Sequence, residues 1–537
     1  MGMFSPRESS FYLATLTNLI LKIGEGFFFR ENSKGKGVYM STIHIKNLTY
    51  GFDLQSTLLF EQTNLTIPTS WKLGLVGRNG RGKTTLLQLI QGKLPYTGKI
   101  EHQTNFLYFP QEVGDATQMT YQILEGFDQT EYWKLERELN LLAVNPDVLW
   151  LPFEQLSGGE QTKVLLAILF AQEDGFPLID EPTNHLDMAS RQLVAQYLKN
   201  KKQGFILVSH DRQLVDDVVD HILSIERNQL VLHQGNYSLY AAEKKQRDAT
   251  ELADNTKLKR EISRLSKTAD EKAQWSGARE KDKYGDPHKK GSGAIGDTGA
   301  VGARAARVMK RSKAIINRME DQITEKEKLL KNLEKVDTLT LHVKETHKKQ
   351  WIKAENLQLF YGERALFAPI SFELNVGDRL AITGVNGSGK TSLLDFLLGN
   401  FKGEVRGELT MAKHPTLSLV RQDFKDNTGT LAEFAEKRQI SEEELLNHLR
   451  KLGVERSVFL NKIEHMSQGQ QKRVELGKAM LTSADLFIWD EPLNYLDVFN
   501  HQQLEEAILK AKPTMIIVDH DHYFLSKIAT KTIELKN

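Results

Sequence analysis

The sequence predicts an α/β protein made of two copies of one domain joined by a long α-helical hairpin. Three observations predict it. First, a glycine-rich loop occurs twice, as GRNGRGKT at Gly77–Thr84 and as GVNGSGKT at Gly384–Thr391. Second, the same polar residues recur behind each loop. Gln111, Ser157, Asp180 and His210 follow Lys83 by 28, 74, 97 and 127 residues, and Gln422, Ser467, Asp490 and His520 follow Lys390 by 32, 77, 100 and 130. Internal duplication is the economical explanation. Third, a charged stretch with helical periodicity lies between the copies. The expected boundaries are 40–240 and 351–537 for the two domains, 241–350 for the hairpin, and 1–39 for an N-terminal extension.

Each glycine-rich loop follows an apolar strand, Leu73–Val76 or Leu380–Thr383, and opens a helix, the first beginning near Thr85. That context marks a phosphate loop, whose backbone N–H groups and helix N-terminus cradle phosphate. Gly77, Asn79, Gly80 and Gly82 form the first cradle, and Gly384, Asn386, Gly387 and Gly389 the second. Lys83 and Lys390 reach the β- and γ-phosphates. The Thr84 and Thr391 hydroxyls point to Mg²⁺, with Thr85 and Ser392 next on each helix. The ligand this chemistry implies is ATP with Mg²⁺.

In the hairpin, Leu258, Ile262, Leu265 and Ala269 form the seam of a coiled-coil helix running from Ala241 to about Trp275. A second seam is Met309, Ile316, Met319, Ile323, Leu330 and Leu333, on a helix from about Arg304 to Val336. Gly285, Gly291, Gly293, Gly296, Gly299 and Gly302 crowd the loop between them and exclude a helix there. Each arm should reach roughly 50 Å. Residues 241–350 hold 27 basic and 18 acidic side chains, against a net charge of +1 for the whole chain. The excess concentrates at the tip, where residues 272–313 hold 11 basic and 4 acidic side chains. Arg304, Arg307, Lys310 and Arg311 lie on one side of the second helix. A cationic tip on a long lever suits a polyanion, since phosphate contact dominates nucleic-acid affinity. The plainer reading is a solvated charged linker; the placement between two ATP-binding domains favours the nucleic-acid reading.

The chain has no cysteine, which excludes disulfides and thiolate metal sites. It has no apolar run of the length a membrane span needs. Residues 1–39 differ in character from the rest and carry no secretory cleavage site. Met40 reads as the natural start. Lys34–Val38 can be encoded by a purine-rich stretch resembling a bacterial ribosome-binding site, and the extension is then not native structure.

Other segments carry a family resemblance. LSGGEQ at Leu156–Gln161, PLIDEPTNHLD at Pro177–Asp187, and the VSHD and VDHD segments ending at Asp211 and Asp521 resemble the signature, Walker B with D-loop, and switch-histidine motifs of ATP-binding-cassette (ABC) proteins. The motifs span about 45 to 525. The resemblance implies two tandem ABC-type nucleotide-binding domains. In it, Asp180 and Asp490 hold Mg²⁺ through water, with Gln111 and Gln422 sensing metal and γ-phosphate. Glu181 and Glu491 orient or deprotonate the attacking water, and His210 and His520 touch the γ-phosphate. Phe52 and Tyr361 stack on adenine. The signature of one domain faces the phosphate loop of the other. Site one thus pairs Lys83 and Glu181 with Ser467 and Gly469, and site two pairs Lys390 and Glu491 with Ser157, Gly158 and Gly159. A monomer makes both. The second signature departs from the pattern, reading MSQGQ with Gln468 at a glycine position, so the two sites are expected to differ.

Two cassettes around a charged hairpin resemble the ABC-F family, and the run Gly291–Ser312 resembles its Lsa-type antibiotic-resistance branch. That resemblance implies a cytoplasmic protein with no membrane partner. It would act at the exit site of the bacterial 70S ribosome, beside 23S rRNA and the initiator or peptidyl tRNA. The hairpin tip, with Ala294, Ile295 and Val301 foremost, would protect against lincosamides, pleuromutilins and streptogramin A. A housekeeping translation factor of the same family is the nearest alternative. An exporter's ATPase subunit is opposed by the cationic insert. DNA-repair ATPases carry longer or cysteine-bearing inserts.

Overall fold

The computed structural model describes residues 41–51, 58–125, 132–184, 186–226, 229–282, 310–311, 313–319, 322–324, 326, 338–413 and 415–536. The extension 1–39, Phe52, and the tip residues Ala294, Ile295, Val301, Arg304 and Arg307 lie outside the described residues.

Two sheets make each domain. In the first, β1 (Thr42–Tyr50) and β2 (Phe60–Pro68) pair antiparallel. Then β3 (Lys72–Val76) leads through the phosphate loop into α1 (Lys83–Ile90), and β4 (Thr97–Glu101) returns to β1. A helical segment, α2 (Thr120–Glu125) and α3 (Tyr132–Leu141), separates β5 (Asn105–Phe109) from α4 (Gly158–Ala171). The chain continues through β6 (Gly175–Asp180), α5 (Met188–Asn200), β7 (Phe205–Val208), α6 (Arg212–Val218), β8 (His221–Glu226) and β9 (Gln229–Gln234). The larger sheet has the order β5-β6-β7-β3-β8-β9, parallel except for β9. Its central strands are buried throughout, as in FILV of β7. Parallel strands covered on both faces need such continuous apolar runs.

The hairpin's first arm is α7 (Tyr237–Asp282), 46 residues and about 70 Å long. It is longer than the sequence reading because it begins at an Asn236 cap, whose Oδ1 accepts from the Leu239 N–H at 3.2 Å. It also runs on past Trp275. Leu258, Ile262 and Leu265 are half-buried and Ala269 is buried, with exposed residues between them. On the second arm, residues 313–319 are helical, and Ile316, Met319 and Ile323 are half-buried among exposed neighbours. Lys326 pairs with Glu261 of α7, joining the arms. Lys310 and Arg311 are helical and exposed.

The second domain repeats the first. β10 (Gln350–Tyr361), β11 (Arg364–Ala365) and β12 (Ile370–Asn375) begin its antiparallel sheet. They are followed by β13 (Arg379–Thr383), α8 (Lys390–Leu397) and β14 (Glu404–Met411), which pairs with β10. Next come β15 (Leu417–Val420), α9 (Leu431–Arg438), α10 (Glu442–Lys451), α11 (Gln468–Leu481), β16 (Leu486–Asp490) and α12 (Val498–Ala511). The domain ends with β17 (Met515–Val518), α13 (His522–Ile528) and β18 (Lys531–Glu534). Its parallel sheet has the order β15-β16-β17-β13-β18. Among the described residues, no helix is long and apolar enough to cross a membrane.

In both domains the phosphate loop, the Gln loop, the Walker B acid and the switch histidine follow the C-terminal ends of adjacent parallel strands. That edge is where open α/β sheets bind ligands. Trp489 anchors it in the second domain: it is fully buried on β16, with its ring 6.1 Å from Phe487, one residue before Asp490. Trp489→Ala should cost about 3–5 kcal/mol of stability. Its thermal unfolding midpoint should fall well below wild type, with Trp489→Phe in between; an unchanged midpoint for the alanine variant would contradict this packing.

Candidate functional site

The phosphate loops need glycine where the chain turns left-handed. Gly80 and Gly82 have φ of 80° and 88°, and Gly387 and Gly389 of 79° and 85°. A Cβ on Gly389 would come within 3.1 Å of Leu366. Lys83 is buried and donates to the Gly77 carbonyl at 2.9 Å and Asn79 Oδ1 at 3.1 Å. Lys390 donates to the carbonyls of Gly384 and Val385, each at 2.9 Å. Burial lowers both lysines' pKa values, against the pull of nearby carboxylates. Each ammonium is thus held on its own loop, aimed where a phosphate would take it. Thr85 and Ser392 lie half-buried in the first turn of the helix that follows each loop.

Behind each loop stand two acids. Thr84 Oγ1 donates to Asp180 Oδ2 at 2.8 Å, and the Tyr108 hydroxyl donates to the same oxygen at 3.1 Å. Thr391 Oγ1 lies 3.5 Å from Asp490 Oδ2. Among the described residues, the buried Asp490 Oδ1 and Gln111 Oε1 have no hydrogen-bond partner. Glu181 and Glu491 occupy left-handed backbone, φ 53° and 47°, an unusual conformation for such residues. Their N–H groups donate to Val208 and Val518 carbonyls, each at 2.8 Å, and this ties each glutamate to the neighbouring strand.

The two glutamates differ electrostatically. Burial pushes Glu181 up to about 8, against the opposing charge of Lys83. Burial also acts to raise Glu491, but His520 and Asn494 outweigh it and hold the carboxyl below its ordinary value. His520 Nε2 lies 3.5 Å from Glu491 Oε1, and Asn494 Nδ2 donates to Oε2 at 2.6 Å. At site one, His210 Nε2 lies 3.4 Å from Glu181 Oε1, and burial lowers the His210 pKa well below its usual value. Burial raises Asp180, and it carries Asp490 up to about 7 with Glu491 adding repulsion.

The fold brings opposite halves together. A cavity of about 950 Å³ is lined by Asn79, Gly80, Glu181 and His210 from the first domain, and by Ser467 and Gly469 from the second. A cavity of about 390 Å³ holds Asn386, Gln422, Glu491 and His520. Asn386 also lines a cavity of about 400 Å³ with Ser157, Gly158 and Gly159. Both signature serines cap their helices in capping boxes, Ser157 with Glu160 and Ser467 with Gln470. Gln468 is exposed on the first turn of α11. Tyr361 lines none of these three cavities; it is 54% exposed, its ring 5.1 Å from Phe401. Gln111 Nε2 donates to the Leu165 carbonyl at 3.2 Å.

Several residues join the sites without having been singled out from sequence. The Asn79 N–H donates to Asp497 Oδ2 at 2.7 Å, and Asn79 Nδ2 to the Tyr495 carbonyl at 3.3 Å. The Asn386 N–H donates to Asp187 Oδ2 at 3.3 Å. Each aspartate also caps the helix it precedes. The available signal was an aspartate in N-cap position at the same place in both copies. Lys472, buried beside site two and donating to the Asp490 carbonyl at 3.4 Å, had no such signal, since Thr162 stands at its place in the first copy.

Two composite pockets, each walled by both domains, define a nucleotide sandwich. Residues 60–184 and 367–494 match the family model described as ABC transporter. The chain is 30% identical over 510 residues to ribosome protection protein VmlR of Bacillus subtilis (strain 168), covering 92% of this chain and 87% of that protein. It is 28% identical to erythromycin resistance ATP-binding protein MsrA of Staphylococcus epidermidis, covering 86% and 92%. Among solved structures it resembles the archaeal ribosome recycling factor aABCE1 in complex with stalk protein aP1. The TM-score is 0.58 at 18% identity, over 91% of this chain and 87% of that one. The chain belongs to the ABC-F type of tandem ATP-binding-cassette ATPases.

The unequal glutamates generate a pH prediction. With Glu181 and Glu491 as the carboxylates that activate water, hydrolysis in Glu491→Gln would rest on Glu181, and its rate should climb with pH through about 8 as that carboxyl ionises. In Glu181→Gln, hydrolysis would depend on Glu491, held ionised, and should be nearly flat above pH 8, where Asp490 is ionised too. Steady-state ATPase profiles of the two variants would decide; superimposable profiles would refute the difference.

Proposed function

We propose that this protein is a ribosome-protection ATPase. Its ATP-closed sandwich binds the bacterial ribosome at the tRNA exit site, and its hairpin guards the peptidyl-transferase region from lincosamides, pleuromutilins and streptogramin A. The observation that carries the reading is a sandwich completed within one chain, bearing a helical arm of about 70 Å. The names of VmlR and MsrA support it.

In this reading the cassettes handle ATP as follows. The loop amides and Lys83 or Lys390 hold its phosphates, and the opposite signature serine closes over the γ-phosphate. Phe52 and Tyr361 stack on adenine. Glu181 and Glu491 orient water for in-line attack and take its proton, with His210 and His520 beside the γ-phosphate. Thr84, Asp180 and Gln111, and Thr391, Asp490 and Gln422, are the oxygen donors that would hold Mg²⁺. The unpartnered oxygens of Asp490 and Gln111 suit a hard cation. When bound, Mg²⁺ neutralises charge on the phosphates. The tip basic residues, Lys310 and Arg311 with Arg304 and Arg307, would grip rRNA phosphates.

Glu181→Gln with Glu491→Gln should block hydrolysis, spare ATP binding, and hold the protein on ribosomes. It should sediment with them in ATP far more than wild type does; equal sedimentation would sink the mechanism. The defining experiment is cell-free translation inhibited by a lincosamide, a pleuromutilin or a macrolide. Purified protein should restore synthesis against the first two. A variant with residues 291–302 replaced by a flexible Gly/Ser loop of equal length should keep its ATPase and lose protection. Reduced drug accumulation in cells without protection in vitro would point to export instead.

A further inference from the structure

We propose that Arg212 is a positioning residue that clasps site one shut, so that the two cassettes part at site two first. Arg212 opens α6, two residues after His210. Its guanidinium crosses to the second cassette, where Nη1 donates to Glu505 Oε1 at 2.7 Å and Nη2 to the Val498 carbonyl at 2.6 Å. The two side chains are only 8% and 5% exposed. The guanidinium also lies 5.5 Å from the Tyr523 ring, and Glu505 Oε2 accepts from Lys527 at 3.2 Å. Val498 directly follows Asp497, whose carboxylate holds Asn79 of the first phosphate loop. The clasp therefore ties together the switch segment and the D-loop that both wall site one.

The duplication provides an internal comparison. One offset of 310 residues relates His210 to His520 and Asp187 to Asp497. Applied to Arg212 and Glu505, it gives His522 and Ala195. Ala195 has no side-chain acceptor. Both residues line a cavity of about 560 Å³ where the second clasp would lie. The loop contact on that side, Asn386 to Asp187, is 3.3 Å, against 2.7 Å on the clasped side.

Two charge-assisted hydrogen bonds from a buried guanidinium fix the register of the interface. Truncating Arg212 removes both of its bonds across the interface and leaves the buried Glu505 with Lys527 of its own cassette; such a loss acts mainly on the rate of separation, by about thirtyfold or more. The inference rests on the assignment of the two ATP sites, not on the ribosomal reading, and its test contains no ribosomes.

The full chain carrying Glu181→Gln and Glu491→Gln is loaded with a fluorescent ATP analogue and chased with excess ATP. Two release phases are expected. Ser467→Arg should abolish the slow one (site one), and Ser157→Arg the fast one (site two). Arg212→Met should speed the slow phase about thirtyfold or more and leave the fast phase unchanged. Ala195→Glu with His522→Arg, which grafts the pair onto the other side, should slow the fast phase. That variant decides the matter if Arg212→Met does not fold. A single phase in the parent, equal acceleration of both phases by Arg212→Met, or a graft without effect would each overturn the proposal.

Discussion

The bond from the Asn79 N–H to Asp497 is the contact on which the arrangement depends. It joins a phosphate loop to an aspartate that also caps α12, so one carboxylate ends a helix and spans the interface. Its counterpart, Asp187 to Asn386, does the same from the other side. Together they place each signature serine opposite the other cassette's loop. Neither cassette walls a complete ATP pocket alone.

The interior of each site is costly in the electrostatic sense. Two acids and a lysine are buried together, and left-handed glutamates sit at strand ends. At site one burial raises both acids and lowers the lysine, bringing each closer to neutrality than in water. At site two the same holds for Asp490 and Lys390, while His520 and Asn494 outweigh burial and hold Glu491 below its ordinary value. Such strain persists because the flanking parallel strands overdetermine the backbone.

The two halves nevertheless part company in detail. Glu491 takes a hydrogen bond from Asn494, while Glu181 holds its charge less readily. Lys472 faces site two, and Thr162 stands in its place at site one. Arg212 bridges the interface behind site one, and Ala195 leaves a cavity behind site two. The two sites thus differ in their charged neighbours and in the contacts behind them.

Much of this protein was legible in its sequence because the signals are local. The phosphate loops announce themselves by glycines that only a left-handed turn demands, and the buried strands by unbroken apolar runs such as MIIV of β17. The hairpin seam follows from helical spacing, and its half-buried Ile316, Met319 and Ile323 fall on that spacing. Helix ends were read less well, since α7 gains turns from an Asn236 cap that periodicity does not register. In the sequence the unequal sites are foreshadowed by Gln468, which lies exposed, and by Leu493 and Tyr495 at the places of Thr183 and His185. The differences that count came from tertiary structure. The partner of Arg212 lies 293 residues away, and nothing near an arginine on a short helix names it. Duplication writes nearly the same local pattern twice, so sequence alone determined that two similar sites exist. Only packing across the interface, where a single carboxylate is present on one side and absent on the other, decided that they are unequal.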